Sequence, residues 1–443
     1  MYNYFKRFIL SKLEVIVEKN FLFVLKLFLK IFVFTFKKIT SKRKTKISFL
    51  NTFDHSGGAA KVTYLIASTL SSKFELTLFV KEKRTNEFWI KEISKKNIGL
   101  IHSLLNKIAI KKGWIEFAGF DALNLLKEET FISSKIVHVH NLHGEFLSPL
   151  IYSTLFKDKK VIWTLHDESF ITGHCSCTLG CEKWKVGCGD CPDLDIYPPV
   201  MFDNTKNVLK TKKTIINELQ PIVVTPSKWL ADRVRVSYPC LKDIHVIHNG
   251  IDEFMFKPKN KVESKIELDL PIDKILILFV AEFSTKNPFK GGDIFRKLIA
   301  ETDFENAIFI SVGGKSEVQF SNHITYPYID NEEELALLYS AADVLLYPTQ
   351  ADNLPLVILE SMSCGTPVIA SNLGGIPEII LHKQNGFLVS DYKNVEEFKN
   401  SLLYFISLSE TNRSLFALKA RETILTSFTK NKMIEKYLKV YEF

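Results

Sequence analysis

Two series of short apolar runs, each followed by a loop and then a helical pattern, limit what this chain can fold into more than any other feature. The first series comprises Lys46–Phe53, Glu75–Val80, Lys135–Val139, Val161–Leu165 and Ile222–Thr225, and His245–Asp252 closes it as a last strand and tight turn. The second comprises Lys274–Ala281, Ala307–Val312, Asp343–Tyr347 and Pro367–Ala370. Strand signals alternating with helical ones imply a parallel sheet covered by helices on both faces. The expected fold class is therefore α/β, with two doubly wound, Rossmann-like domains; a length of 443 residues asks for two cores in any case. The expected division is an N-terminal arm (residues 1–45), a first domain (46–255), a second domain (256–425) and a final helix (426–443) crossing back to the first domain. Ligands in such sheets bind beyond the carboxyl ends of the strands, so the chemistry is sought in the loops that follow the runs.

Charge is concentrated at one end. Residues 1–46 hold twelve Lys or Arg and two Glu, a net of +10, against +8 for the whole chain, which leaves about −2 for the rest. The body of the protein is therefore not a nucleic-acid binder. Within the arm, Phe21–Phe36 is apolar except for Lys26, Lys30 and Thr35, and as a helix it aligns Lys12, Lys19, Lys26, Lys30 and Lys37 in one stripe. Sixteen residues fall short of the ~20 needed to span a bilayer. The expectation is a helix lying in the membrane surface, its lysines reaching the headgroups. A spanning anchor and a helix packed on the protein are the alternatives.

The loop Asp352-Asn-Leu354-Pro355-Leu356 leads into a helix that carries Glu360, eight residues beyond Asp352. Free amides at the start of that helix suit a phosphate, and Glu360, an acceptor-only group, suits adjacent sugar hydroxyls. The spacing predicts a nucleotide-sugar site. Gly57-Gly58, between the first strand and its helix, allows a phosphate to approach the backbone. His166-Asp167 ends another strand, with His166 placed to meet a sugar hydroxyl and Asp167 to orient it; His140 and Asn141 end the strand before. Five of seven cysteines fall within 175–191, inside an insert over 173–199. Cys188-x2-Cys191 has zinc-knuckle spacing, and Cys175 with Cys181 would complete a tetrahedral set. Structural zinc, reduced thiols and disulfides are the three readings of that insert.

The stretch from Asp352 through Glu360 to Gly365-Thr-Pro367-Val, with Gly374-Gly375-Ile-Pro377-Glu378, resembles the E-x7-E region of family-four retaining glycosyltransferases, which have the GT-B fold. Thr225-Pro-Ser-Lys-Trp, His248-Asn-Gly-Ile-Asp and the cysteine insert extend the resemblance, the insert being similar to the bacterial exopolysaccharide, colanic-acid-type branch. Asp352 stands where the family has its first Glu, and Asn353-Leu354-Pro355 replaces Gly-Phe-Gly. The family's diphosphate-clamping Lys matches Lys290; Glu282 occupies the position of its partner Arg, which leaves Lys286 as a substitute point charge.

The resemblance implies a donor site of Gly57, Gly58, Lys286, Lys290, Leu354, Pro355, Leu356 and Glu360. It implies His166, Asp352 and Lys290 at the reacting groups, and His140, Asn141 and Asp167 in an acceptor pocket. No cofactor is implied for catalysis; the only metal expected is zinc on Cys175, Cys181, Cys188 and Cys191. The expected partners are a nucleotide sugar, a lipid-linked saccharide and, through residues 1–45, a membrane surface, at the inner face of the cytoplasmic membrane. A nucleotide-sugar epimerase and a non-catalytic scaffold on the same fold are the rival functions.

Overall fold

The structure, a computed structural model, describes residues 45–55, 57–93, 100–119, 121–142, 146–282, 286–287, 289–301, 306–314 and 320–442. The basic apolar arm expected over residues 1–45 lies, but for its last residue, outside the described residues. No helix among the described residues is long and apolar enough to cross a membrane. The chain divides into two compact units, one ending at Thr225 but including Ala231–Val246, the other formed by Pro226–Leu230 and Ile247–Phe443.

The first unit holds a seven-stranded parallel sheet of β1 (Lys46–Phe53), β2 (Glu75–Glu82), β3 (Ile90–Glu92), β4 (Ile136–Val139), β5 (Lys160–Thr164), β6 (Ile222–Thr225) and β7 (Ile244–Val246). Its order is β3-β2-β1-β4-β5-β6-β7, so the winding reverses between β1 and β4. Six consecutive residues of β1, Ile47–Thr52, are buried, as a strand with helices on both faces requires. Its helices include α1 (Gly57–Leu70), α2 (Leu100–Lys111) and α3 (Thr205–Leu219); α4 (Lys228–Ser237) straddles the division between the units. Ser227 caps α4, its Oγ accepting from the Leu230 amide at 3.1 Å, as the sequence predicted.

The second unit holds a six-stranded parallel sheet of β8 (Ile275–Val280), β9 (Ala307–Val312), β10 (His323–Tyr326), β11 (Val344–Tyr347), β12 (Val368–Ser371) and β13 (Gly386–Val389). The order β10-β9-β8-β11-β12-β13 reverses between β8 and β11. Alternate strand residues serve opposite faces. Leu276, Leu278, Leu345 and Val368 join one apolar cluster, while Ile277, Phe279, Val344, Leu346 and Ile369 join the other. The helices, after α5 (Lys261–Glu267), are α6 (Gly292–Glu301), α7 (Glu332–Ala341), α8 (Leu356–Ser363), α9 (Val395–Ser407), α10 (Glu410–Ser427) and α11 (Lys430–Tyr441). Side chains of α7 and α8 fill the first cluster, those of α6 and α9 the second. Within this unit the last helix is tied to its first residues by an Ile251–Thr429 bridge and an ion pair between Lys430 and Asp252.

The two parallel sheets are those expected. The short strands β3, β10 and β13 were not anticipated: each has four residues or fewer and sits at or next to a sheet edge.

Arg421 of α10 stitches this unit at a distance from its loops. Its guanidinium donates to the carbonyls of Phe256 (2.8 Å), Ser363 (2.7 Å) and Glu253 (2.9 Å). Ser363 Oγ also serves the Phe256 carbonyl, so two carbonyls would be stranded by truncation. Arg421→Ala is expected to lower stability by about 2 kcal/mol in urea unfolding, with Arg421→Lys recovering less than half of the loss because an ammonium lacks the planar fork.

Candidate functional site

Within the second unit, the loops after β8 and β11 leave the two strands that flank the reversal, where a parallel sheet opens its crevice. Lys290 comes from the first loop and Asp352 from the second, and their side chains form an ion pair. Tyr347, the last residue of β11, donates its hydroxyl to the same Asp352 Oδ2 at 2.6 Å. Burial works against the charge on Lys290, but Asp352 and Tyr347 outweigh it and hold the ammonium above its ordinary range. Tyr347 is itself raised, by burial first and by Asp352 second, so it stays a hydrogen-bond donor. Gly291, with φ of +75°, explains how Lys290 is placed: a Cβ there would lie 1.8 Å from the Pro348 carbonyl oxygen. Only glycine allows the two loops to run this close.

The loop from Asp352 to Pro355 is braced from several sides. Gly375 N–H donates to the Asn353 carbonyl at 2.7 Å, Asn249 Nδ2 donates to the Leu354 carbonyl at 3.0 Å, and Ser227 Oγ bonds Asn353 Oδ1. A Cβ on Gly375 would fall 2.3 Å from the Asn353 oxygen. Glu378 accepts from the amides of Lys228 and Trp229, both at 3.0 Å, and from His248 Nε2 at 2.9 Å. Four segments that carried the family resemblance, at 225–229, 248–252, 352–360 and 374–378, thus converge on one loop. Leu354 and Pro355 are buried, Leu356 half-buried, and Pro355 sits at the N-cap of α8. Glu360, on α8, is buried and accepts from Tyr339 Oη at 2.9 Å. Tyr347 and Tyr339 were not singled out from sequence, because apolar runs hide them; Asn249 stood in the His248-Asn-Gly-Ile-Asp segment with no role assigned. Lys286 and Glu282 are exposed on the β8 loop.

In the first unit, Gly57 and Gly58 open α1 and are exposed. Gly57 has φ of +83° with open space around its Cβ position, so the backbone turn, not close packing, demands glycine there. Beyond β4 and β5, His140, Asn141, His166 and Asp167 line one cavity of about 640 Å³, counted out to its open mouth. His140 Nδ1 and His166 Nε2 share a hydrogen bond of 3.0 Å, and Asp167 Oδ1 accepts from the Ser169 amide at 2.9 Å. Register produces the histidine pair: β4 and β5 run parallel with Val139 beside Trp163, so both strands end together. Burial pulls the His140 imidazole well below its usual pKa, with His138 and His166 adding to the effect.

The cysteine insert is ordered by turns: Cys188, Gly189 and Asp190 all have positive φ, and His174 Nε2 lies 3.4 Å from Cys191 Sγ. Among the described residues no group of three or more His, Cys, Asp or Glu side chains is arranged to hold a metal ion. Burial raises the Cys175 thiol to about 12, which keeps it protonated.

Two doubly wound parallel sheets, each with candidate residues beyond the carboxyl ends of its strands, define the class as a GT-B fold. Residues 56–253 match the family profile "Glycosyltransferase Family 4" and residues 260–419 match "Glycosyl transferases group 1". The chain belongs to the family-four glycosyltransferases. It is 28% identical over 326 residues, 69% of this chain and 76% of the other, to a protein of Escherichia coli named as the colanic acid biosynthesis glycosyl transferase WcaC. Among solved structures, sucrose-phosphate synthase from Thermosynechococcus elongatus aligns with a TM-score of 0.65 at 16% identity, covering 90% of this chain and 98% of its own. Anabaena HepE in complex with UDP-glucose aligns with a TM-score of 0.63 at 16% identity, covering 89% and 98%. At such identities the likeness is one of fold.

Glu378 offers a pH test of the braced loop. Desolvation alone would raise its pKa; the His248 hydrogen bond and the two amides outweigh it and hold the carboxyl below its usual value of 4.5. A carboxyl lowered in the folded state contributes stability that is present above pH 4.5 and lost as pH falls through the folded value. Unfolding midpoints measured from pH 6 down to pH 3 should therefore fall less steeply in Glu378→Gln than in the unaltered protein, with the difference confined to the region below 4.5.

Proposed function

We propose that the chain is a retaining glycosyltransferase that moves a sugar from a nucleotide-sugar donor to a lipid-linked saccharide in the assembly of a bacterial surface polysaccharide. The observation that carries the reading is the Lys290–Asp352–Tyr347 group on the braced loop at the reversal of the second sheet. The name of WcaC supports polysaccharide synthesis, and the UDP-glucose held by HepE supports a nucleotide-sugar donor.

In this reading the second unit holds the donor. Lys290, kept cationic by its neighbours, exchanges part of its pairing with Asp352 for the donor diphosphate. The amides at the start of α8 give further positive potential, and Lys286 adds a second positive charge. Glu360 takes the ribose hydroxyls, and Asp352 meets a hydroxyl of the transferred sugar. Gly57 and Gly58 present their amides to phosphate. The bond between the anomeric carbon and the diphosphate oxygen breaks, its electron pair leaving with the diphosphate. The acceptor oxygen bonds to the same face of that carbon and yields its proton to the departing oxygen. Stabilising the developing diphosphate charge supplies most of the rate, with no protein nucleophile and no metal required.

Thermal shifts against UDP-, GDP-, ADP- and TDP-linked sugars test the donor half. One nucleotide class at a hundred times its Kd is expected to stabilise the fold by about 2.7 kcal/mol. Lys290→Met should weaken that binding at least tenfold, and Glu360→Ala should abolish the shift; silence across the panel with folded protein would favour a non-catalytic scaffold. The acceptor half has its own test, co-sedimentation with anionic vesicles: removal of residues 1–45 should release the protein, and retention would show that the arm is not the anchor.

A further inference from the structure

Glu360 stands in an apolar setting. Helix α8 reads Leu-Val-Ile-Leu-Glu-Ser-Met-Ser, and Ile358, Leu359 and Met362 around the acid belong to an apolar cluster of the second unit. Glu360 itself is 4% exposed. Taking a carboxylate out of water is unfavourable, and a leucine would fill such a position at lower free energy. The donor that meets the acid is Tyr339 of α7, whose Oη lies 2.9 Å from Glu360 Oε2. Tyr339 is held fast. It is wholly buried, the Phe256 ring meets it edge-on with centroids 6.3 Å apart, and its carbonyl accepts from Thr366 Oγ1 at 2.6 Å. Burial first, and the Glu360 carboxylate second, hold Tyr339 well above its ordinary pKa, so its hydroxyl remains a donor.

We infer that Tyr339 is a positioning residue for the donor's ribose: its hydroxyl holds the Glu360 carboxylate in an orientation that meets the 2′ and 3′ hydroxyls together, so that the site takes ribonucleoside diphosphates in preference to 2′-deoxy ones. The inference rests on the transferase reading for the ribose, and on the Tyr339–Glu360 pair for the selection. A side chain on a helix leans towards the helix N-terminus, which for α8 is the Asp352–Pro355 loop. The last torsion of a glutamate is broad, so an unheld carboxylate samples many planes. A hydrogen bond from an immobile ring removes that freedom before the nucleotide arrives. An ionised carboxylate offers about four acceptor positions, and one tyrosine hydroxyl does not exhaust them. A 2′-deoxyribose withdraws one of two donors from a buried acid, and sites built on such hydrogen bonds reject the analogue that lacks the hydroxyl. Packing alone does not account for the pair, because the contacts of the Tyr339 ring with the apolar cluster need no hydroxyl.

Calorimetric titration of the full chain with UDP, GDP and ADP, each beside its 2′-deoxy counterpart, and with TDP is the test. At least one ribonucleotide is expected to bind about tenfold more tightly than its 2′-deoxy counterpart. Tyr339→Phe should bring that ratio below about threefold by weakening the ribonucleotide while leaving the deoxy form as it was. If Tyr339→Phe fails to fold, Tyr339→Met, an adaptable apolar side chain without the hydroxyl, decides; the ratio in the unaltered chain needs no variant. A ratio near one in the unaltered chain, or tighter binding of TDP than of UDP, overturns the inference and leaves the transferase reading in place. So does a folded variant that keeps the ratio, or one that weakens both forms alike, since Tyr339 would then serve the fold and not the ribose. Absence of binding by every nucleotide to the folded chain removes the transferase reading and the inference with it.

Discussion

Everything of functional interest in this protein depends on a rule of chain handedness. Parallel strands must be joined by right-handed crossovers, so a sheet can grow outward in both directions only if its winding reverses once. At the reversal, neighbouring strands send their following loops to opposite faces, and a crevice opens between them. Each unit has one such point, between β1 and β4 in the first and between β8 and β11 in the second. Gly57 and His140 leave the first pair; Lys290 and Asp352 leave the second. The side chains that matter come from segments far apart in sequence because the strands that carry them are neighbours only in the sheet.

Geometry at the second reversal shows how a loop is held in place by neighbouring segments of the chain. Leu354 anchors Asp352–Pro355 in an apolar cluster, Gly375 and Asn249 satisfy the carbonyls of Asn353 and Leu354, and Ser227 holds the Asn353 side chain. Glycines at 291 and 375 remove the side chains that would hold neighbouring backbone away. A binding surface built this way presents charge from fixed positions, the condition under which an ammonium and a row of amides stabilise developing charge at little reorganisation cost.

How much of this could be read from the residues alone follows from the range of the interactions. Buried strands announce themselves as apolar runs, so β1, β8, β9 and the rest of the central strands were legible, while the edge strands β3 (Ile-Lys-Glu) and β10 (His-Ile-Thr-Tyr) carry no apolar run. Local motifs were legible too: Ser227 as a cap, the Asp352–Glu360 spacing, Lys290 before Gly291. What sequence did not give was pairing across distance. Glu116 meets Lys212 96 residues away, and Arg421 reaches Glu253 across 168. Charged residues in helices read as solvated faces until a fold buries them.

The row of imidazoles in the first unit has a consequence for how the protein meets changes in acidity. His138 and His140 are enclosed, their rings 4.1 Å apart and packed on Phe49, and burial depresses the affinity of both for a proton. An exposed imidazole changes charge near neutrality; these two pass through that range without doing so. Of the two, His140 lines the cavity, and its imidazole stays neutral as acidity drifts around neutrality. Histidine is used here for its shape and its two nitrogens, with the titration that usually distinguishes it suppressed by the fold.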